Sequence, residues 1–288
     1  MATLYGVESK RQPVFFFGHG SPMNVIEDND FTRTLIAVGK EIGASARPTA
    51  ALVVSAHWAT RGKSLACSSA QPEQIYDFYG FPEELYRVKY RPTGAPRVAQ
   101  RVSQRDTQRD TQRDTQRDTQ RDTALSADPA VSMTEEWGLD HGAWSLLTWL
   151  FPEADLPVLQ LSLDMALPLA SHIKIGQRLR PLREEGVMIL ASGNVTHNLG
   201  EASFEPRPKT PAWAQEFDAA VASAVESRSE ERLLALAERP DFNLAHPYPD
   251  HFLPMLYAFG ASDRTDRLEY VYQGFQNGSL SMRAWKYE

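Results

Sequence analysis

The chain has 288 residues, 42% of them hydrophobic and 23% charged, a size and balance that suit one large α/β domain or two small ones. Its formal net charge of −7 argues against a nucleic-acid binder, and its single cysteine, Cys67, excludes an intrachain disulfide and any thiolate metal cluster. No run approaches the ~20 apolar residues of a membrane helix and the polar N-terminus has no signal core, so a cytoplasmic location is expected.

In chain order, Val14-Phe15-Phe16-Phe17 is a short apolar run closed by Gly18 and reads as a buried strand. Phe31 to Ile42 spaces Leu35, Ile36, Val38 and Ile42 as a helix does, with acidic residues ahead and Gly43 behind. Ala50 to Ala56 is a continuous apolar run ending at His57, the signature of a parallel strand covered on both faces. Cys67, in Leu65-Ala66-Cys67-Ser68, reads as a buried, inert thiol. Gln74 to Tyr90 is rich in Tyr, Phe, Gly and Pro, and Tyr76 to Pro82 reads as an ordered aromatic loop, either a pocket wall or a packed surface cluster.

A helix is expected to begin near Ala95-Pro96-Arg97-Val98 and to run into five tandem Gln-Arg-Asp-Thr units over 104–123. The repeat holds no apolar residue and reads as an exposed insertion that solvates rather than binds. Beyond it, helices are expected over Ala143–Leu150, Pro168–Leu182, Trp213–Ser227 and Glu230–Ala237. Strands are expected over Pro157–Leu163, Val187–Ala191, Leu268–Tyr272 and Ser279–Ala284. Strands alternating with helices imply an α/β fold, a single domain whose central, largely parallel mixed sheet is flanked by helices on both faces.

Histidine carries the chemical signal. His19 lies between Gly18 and Gly20, His57 ends an apolar strand before Trp58, His197 follows a Gly-Asn turn, and His251 follows Pro249-Asp250. Neutral imidazole is the commonest protein ligand for a divalent metal and the usual base near neutral pH, so four such residues at strand ends or turns point to a metal. His141 is a fifth, in Gly138-Leu139-Asp140-His141-Gly142-Ala143-Trp144. His172, inside an expected helix, reads as structural; His246, before Pro247, stands between a structural role and a pocket lining.

Five segments in order carry a specific resemblance. They are Gly18-His19-Gly20-Ser21-Pro22-Met23-Asn24, Ser55-Ala56-His57-Trp58, Trp137 to Trp144, Ser192-Gly193-Asn194-Val195-Thr196-His197-Asn198, and Pro249-Asp250-His251-Phe252-Leu253-Pro254. With Gly278 to Met282 near the end, the chain from about Phe16 to Leu280 resembles the DOPA-dioxygenase-type branch of the class III extradiol aromatic ring-opening dioxygenases, the LigB superfamily. The tandem repeat departs from that pattern as an insertion between matching segments. The resemblance implies an α/β fold with one active site and one non-haem divalent metal. Carried over by residue, His19, His57 and His251 match metal ligands. His197 matches a further ligand or the base beside the metal, and His141 an active-site histidine that hydrogen-bonds oxygen or transfers a proton. The broader class uses two histidines and a carboxylate; here the third ligand is expected to be His251, with Asp250 the nearest carboxylate alternative.

The implied activity is insertion of O2 into a catechol such as DOPA, giving a muconic-semialdehyde-type product. Fe(II) is expected for turnover, with Zn(II) an acceptable occupant. The expected partners are a small-molecule catechol and O2, with no nucleic acid and no membrane, in a monomer or weak homo-oligomer. Tyr76 to Phe81, Trp58 and Tyr248 are the expected walls of the substrate site. Two rivals remain: a zinc hydrolase on the same residues, for which an all-imidazole site is suited, and a non-catalytic binding protein of the same fold.

Overall fold

A computed structural model of the chain describes residues 10–45, 47–113 and 129–288. Ten strands are present among them: β1 (Val14–Gly18), β2 (Ala50–Thr60), β3 (Ser64–Cys67), β4 (Val131–Thr134), β5 (Val158–Asp164), β6 (Val187–Gly193), β7 (Leu268–Tyr272), β8 (Phe275–Gln276), β9 (Leu280–Ser281) and β10 (Ala284–Tyr287). Eight form one sheet in the order β4-β3-β5-β2-β6-β1-β10-β7, while β8 and β9 pair as a separate hairpin. The four central strands run parallel: β5 with β2, β2 with β6, and β6 with β1. Antiparallel pairs appear on either side, β3 against β5, β10 against β1 and β7 against β10. This is the expected α/β fold with a largely parallel, mixed sheet.

Side-chain alternation splits the core into two layers. Val14, Phe16, Leu52, Val54, Leu161 and Ile189 face one side, where Val98, Ile173, Phe217 and Leu256 of four helices cover them. Phe15, Phe17, Ala51, Val53 and Leu190 face the other, under Phe31, Leu35, Trp144 and Leu147 of helices Asp30–Ser45 and His141–Leu150. Burial on both faces explains why these strands read as unbroken apolar runs.

Several expectations are corrected. The last strand is not over 279–284: Leu280–Ser281 pairs with β8, and the sheet strand begins at Ala284 and ends at Tyr287. Strand β2 does not stop before His57 but continues to Thr60, with a register shift against β5 between Val54 and Ala59. Such a bulge re-aims side chains, and it falls on the His57 segment. The helix expected over 168–182 is two helices, Leu169–Leu179 and Pro181–Glu184, because Pro181 brings no N–H to continue the ladder. Helix His141–Leu150 starts two residues earlier than expected, capped by Asp140, whose carboxylate accepts from Ala143 N. Cys67 is buried, as expected.

The helix Pro96–Arg113 enters the tandem repeat. The expected exposure of the repeat beyond Gln104, and its remaining length to Thr123, lie outside the described residues. Among the described residues no helix is long and apolar enough to cross a membrane.

Candidate metal centre

The carboxyl ends of β1, β2 and β6 lie side by side, where open α/β sheets place their ligands. His19 directly follows β1, and its N–H donates to Gly193 O at 2.9 Å. Past β6, Asn194 N donates to His251 O at 3.0 Å and His197 N to Ala245 O at 2.8 Å. At Gly193 a Cβ would sit 2.3 Å from His251 O, so only glycine lets the His251 turn approach this strand end. Gly20 has φ +64, and the next residue, Ser21, donates its N–H to Gln276 Oε1 at 2.9 Å, which ties the His19 loop to β8.

Four of the five imidazoles have Nδ1 within 3.2 Å of a hydroxyl or carboxylate oxygen. His19 Nδ1 lies 2.9 Å from Ser192 Oγ, whose own hydrogen is donated to Gly142 O at 2.5 Å. The serine oxygen therefore accepts from His19 Nδ1–H, and the Nε2 lone pair is free. His57 Nδ1 lies 3.2 Å from Asp77 Oδ2, and His141 Nδ1 lies 3.0 Å from the same oxygen. Asp77 Oδ1 also accepts from His141 N at 2.9 Å. His251 Nδ1 lies 3.0 Å from Asp250 Oδ1, and its Nε2 is buried with no hydrogen-bond partner among the described residues.

The outcome is that His19 Nε2 and His57 Nε2 face each other across 3.1 Å with both Nδ1 atoms already spoken for. Two lone pairs at that distance repel unless a cation lies between them. Two imidazoles bound at ~2.0–2.1 Å and about a right angle to one ion would be separated by roughly 3 Å. One ligand atom each from His19, His57 and His141 lie within 4.8 Å of one another. The His251 ring centre is 5.2 Å from that of His19 and 5.0 Å from that of His57. A neutral imidazole held at Nδ1 by a carboxylate or hydroxyl is the usual metal-ligating arrangement, so these residues fit a divalent ion.

Electrostatics favour the neutral, ligating form. Burial first, then the neighbouring imidazoles, hold His19 and His251 well below the ordinary histidine pKa. Burial lowers His57 to about 3, with His141 adding to it and Asp77 opposing it. Burial would raise Asp77, but hydrogen bonding and attraction from His141 and His57 bring it below the usual carboxylate value. Asp140 is raised to about 6 by burial and by Asp77, while Gln160 and Ser55 hydrogen bonds oppose this. It accepts from Ser55 Oγ and Gln160 Nε2, both at 2.7 Å, and so fixes the start of the His141 helix.

These shifts set a pH dependence. His57 and His246 each titrate near 3 in the fold but near ~6.5 in the unfolded chain. Between those values the unfolded chain binds the extra protons, so stability is full above ~6.5 and is lost as pH falls towards 3. Each group contributes up to ~1.4 kcal/mol per pH unit in that window. The melting temperature of metal-free protein should therefore fall steadily from pH 6.5 to 5. A melting temperature that rises on acidification would contradict the assignment.

All five motif histidines converge, but not equivalently. His197 stacks flat on His251, with ring centres 3.4 Å apart and planes 3° from parallel, and lies outside the tightest group. Burial lowers it to about 4, against the pull of Asp250. His172 is buried elsewhere, its Nδ1 3.1 Å from Tyr257 OH, and His246 is buried with Nε2 2.9 Å from Val195 O. Of the expected walls, Phe78 meets His141 edge-on at 5.5 Å. Tyr248 is 76% exposed, whereas Trp58 is buried and stacked on Trp137.

Asp77 and Ser192 were not singled out by sequence reasoning. The available signal for Asp77 was the lone carboxylate inside Tyr76-Asp77-Phe78-Tyr79-Gly80-Phe81. Asp77→Asn should weaken metal binding ~10–100-fold, the usual effect of losing a group that orients a ligand, with far-UV dichroism unchanged. A competitive chelator titration measures this, and unchanged affinity would remove Asp77 from the centre.

A family model described as the catalytic LigB subunit of aromatic ring-opening dioxygenase matches residues 13–281. The chain is 37% identical over 279 residues to a 4,5-DOPA dioxygenase extradiol of Escherichia coli K12, covering 96% of this chain and 94% of that protein. It is 34% identical to the protein of the same name from Beta vulgaris, covering 98% of both. The crystal structure of the uncharacterized protein JW3007 from Escherichia coli K12 superposes with a TM-score of 0.77 at 34% identity, covering 96% of this chain and 99% of that one.

Proposed function

The chain belongs to the LigB family of aromatic ring-opening dioxygenases, and on that premise we propose that it cleaves a catechol ring next to its diol with O2, DOPA being the first substrate to try. The observation that carries this reading is the pair of facing Nε2 atoms of His19 and His57, 3.1 Å apart, with the partnerless Nε2 of His251 nearby. We assign His19, His57 and His251 as metal ligands. Fe(II) held by these three imidazoles would supply the redox path that lets triplet O2 react with a singlet catechol.

The remaining chemistry falls to side chains. His197 is the base: its stacking on His251 keeps its imidazole beside the centre, where a neutral ring can take a catechol proton. A fourth permanent imidazole would crowd substrate and O2, which favours this role over a fixed ligand. His141 hydrogen-bonds oxygen and passes a proton to it; the double grip of Asp77 on its backbone N–H and Nδ1 supports that role. The product would be a muconic-semialdehyde-type compound, and a cytoplasmic location suits an intracellular iron pool.

One observation supports a second ligand set. His141 belongs to the group whose ligand atoms lie within 4.8 Å, so it competes with His251 for the third position. An all-histidine site also suits a zinc hydrolase. The test is oxygen uptake by anaerobically Fe(II)-reconstituted protein over a panel of catechols, with product mass measured. Uptake requiring Fe(II), with both oxygen atoms in a ring-opened product, is expected. No uptake with any catechol would overturn the reading, and O2-independent turnover with Zn(II) would favour the hydrolase.

A further inference from the structure

We propose that the β8–β9 hairpin braces the metal centre, and that two side chains at its contacts are positioning residues: Gln276 for the ligand His19 and Thr196 for the base His197. The roles of His19 and His197 rest on the function proposed above. The hairpin stands outside the main sheet, with strands of only two residues, Phe275–Gln276 and Leu280–Ser281, joined through Asn277 and Gly278, both at positive φ. A two-stranded hairpin of this kind is marginal by itself in water. Its hold on the rest of the protein is polar, and it falls on the loops that carry the two histidines.

One grip is on the loop after β1. Gln276 Oε1 accepts from Ser21 N at 2.9 Å and from Asn24 Nδ2 at 3.2 Å, and Gln276 Nε2 donates to Asn24 Oδ1 at 2.9 Å. Asn24 Nδ2 also donates to His19 O at 3.1 Å, so the glutamine reaches the backbone of His19 through a single side chain. The other grip is on the loop after β6. Thr196 is fully buried; its Oγ1 donates to Ser279 O at 2.7 Å and accepts from Ser281 N at 2.8 Å. Asn194 joins the two grips: Nδ2 donates to Ser281 O at 2.9 Å and Oδ1 accepts from Gly20 N at 3.3 Å. Ser192 and the stack on His251 orient the two rings, but a ring is placed only as well as the backbone that carries it. A group that orients a metal ligand is worth ~10–100-fold in metal affinity, and a misplacement of ~1 Å costs a reacting group ~10²-fold in rate. The stretch Gly278 to Met282 contributes no reacting group to the chemistry above, and the brace gives it a function.

Gln276→Ala, Thr196→Val and Thr196→Ser test this in the full chain. Competitive chelator titration with Zn(II) should show Gln276→Ala weakened ~10–100-fold and Thr196→Val like the parent. Amide exchange in Zn(II)-loaded protein should quicken over 18–24 in Gln276→Ala and over 194–198 in Thr196→Val, with Thr196→Ser, which keeps the hydroxyl, like the parent. In oxygen uptake by Fe(II)-loaded protein, Thr196→Val should lose ~10–100-fold in kcat with KM little moved, and Thr196→Ser should recover it. A purely structural hairpin would instead lower the melting temperature of both variants and leave metal affinity and kcat alone. That result, or loss of metal affinity in Thr196→Val but not in Gln276→Ala, overturns the proposal. Gln276 is only half-buried, so Gln276→Ala keeps the fold and decides the matter if Thr196→Val does not fold. Should the Fe(II)-loaded parent take up no O2 with any catechol, the cleavage reading falls, while metal affinity and exchange still decide the brace. Uptake by the parent with neither variant altered removes the brace and leaves the cleavage reading standing.

Discussion

Alanine at His19 is expected to strip the metal from the protein while leaving its fold intact. His19 Nε2 is one half of the facing pair with His57 Nε2. Loss of an orienting partner alone costs ~10–100-fold in metal affinity, so loss of a ligand should exceed ~100-fold. The fold should survive because Ser192 Oγ still donates to Gly142 O and the β1–β6 pairing does not involve the ring. Metal-free His19→Ala should even melt near the parent, since it removes one of two lone pairs that repel across the site; buried groups kept for function commonly trade against stability. Metal analysis after dialysis, with melting curves with and without Zn(II), measures both. Stoichiometric metal retained in both His19→Ala and His57→Ala would sink the ligand assignment. The same assay on His251→Ala and His141→Ala decides the third ligand. Metal loss is expected in His251→Ala and retention in His141→Ala, and the opposite pattern would transfer the position to His141.

His197→Ala should have a different signature: metal retained, turnover lost. A positioned general base is worth about 10²–10⁴-fold, so kcat should fall by that factor with stoichiometric Fe(II) still bound. The defect should lessen as pH rises, because a catechol that has already lost its proton needs no base. Oxygen uptake against pH, with iron content determined on the same samples, separates the cases. Loss of iron in His197→Ala would make it a ligand instead. Full activity with full metal would leave it a bystander stacked on His251.

Much of this centre was legible in the sequence because its parts are local. The apolar runs at Val14, Ala50 and Val187 are strands buried on both faces, and a strand of that kind needs no partner to be recognised. Four histidines at strand ends or turns, with His141 as a fifth, pointed to a metal site. What the sequence hid depends on distant contacts. Asp77 meets His141 from 64 residues away, and nothing within the aromatic loop reveals that one carboxylate serves two imidazoles. The short strands β3 and β4 contain Ser, Thr and Cys and pair at the sheet margin, so they lack a marked pattern. Strand β10, Ala-Trp-Lys-Tyr, begins five residues later than expected; its Lys286 is nearly buried yet neutralised by Glu41. The continuation of β2 past His57 was hidden because the apolar run that marks the strand ends there, while pairing with β5 resumes beyond the register shift, at Ala59 and Thr60.

The pairing of β1 with β10 also bears on how the protein is made. β1 lies between β6 and β10, so its hydrogen-bonding groups are satisfied only when both neighbours have been synthesised. Val14 and its partner Tyr287 are about 270 residues apart, which at ~5–20 residues per second is roughly 15–55 s of translation. Throughout that interval Val14-Phe15-Phe16-Phe17 is an apolar strand with an open edge, the kind of segment that chaperones hold and that aggregates when they do not. His19 follows that strand directly and His251 comes late in the chain. On the ligand assignment proposed above, a nascent chain cannot assemble the ligand set, and metal loading is a step that follows translation.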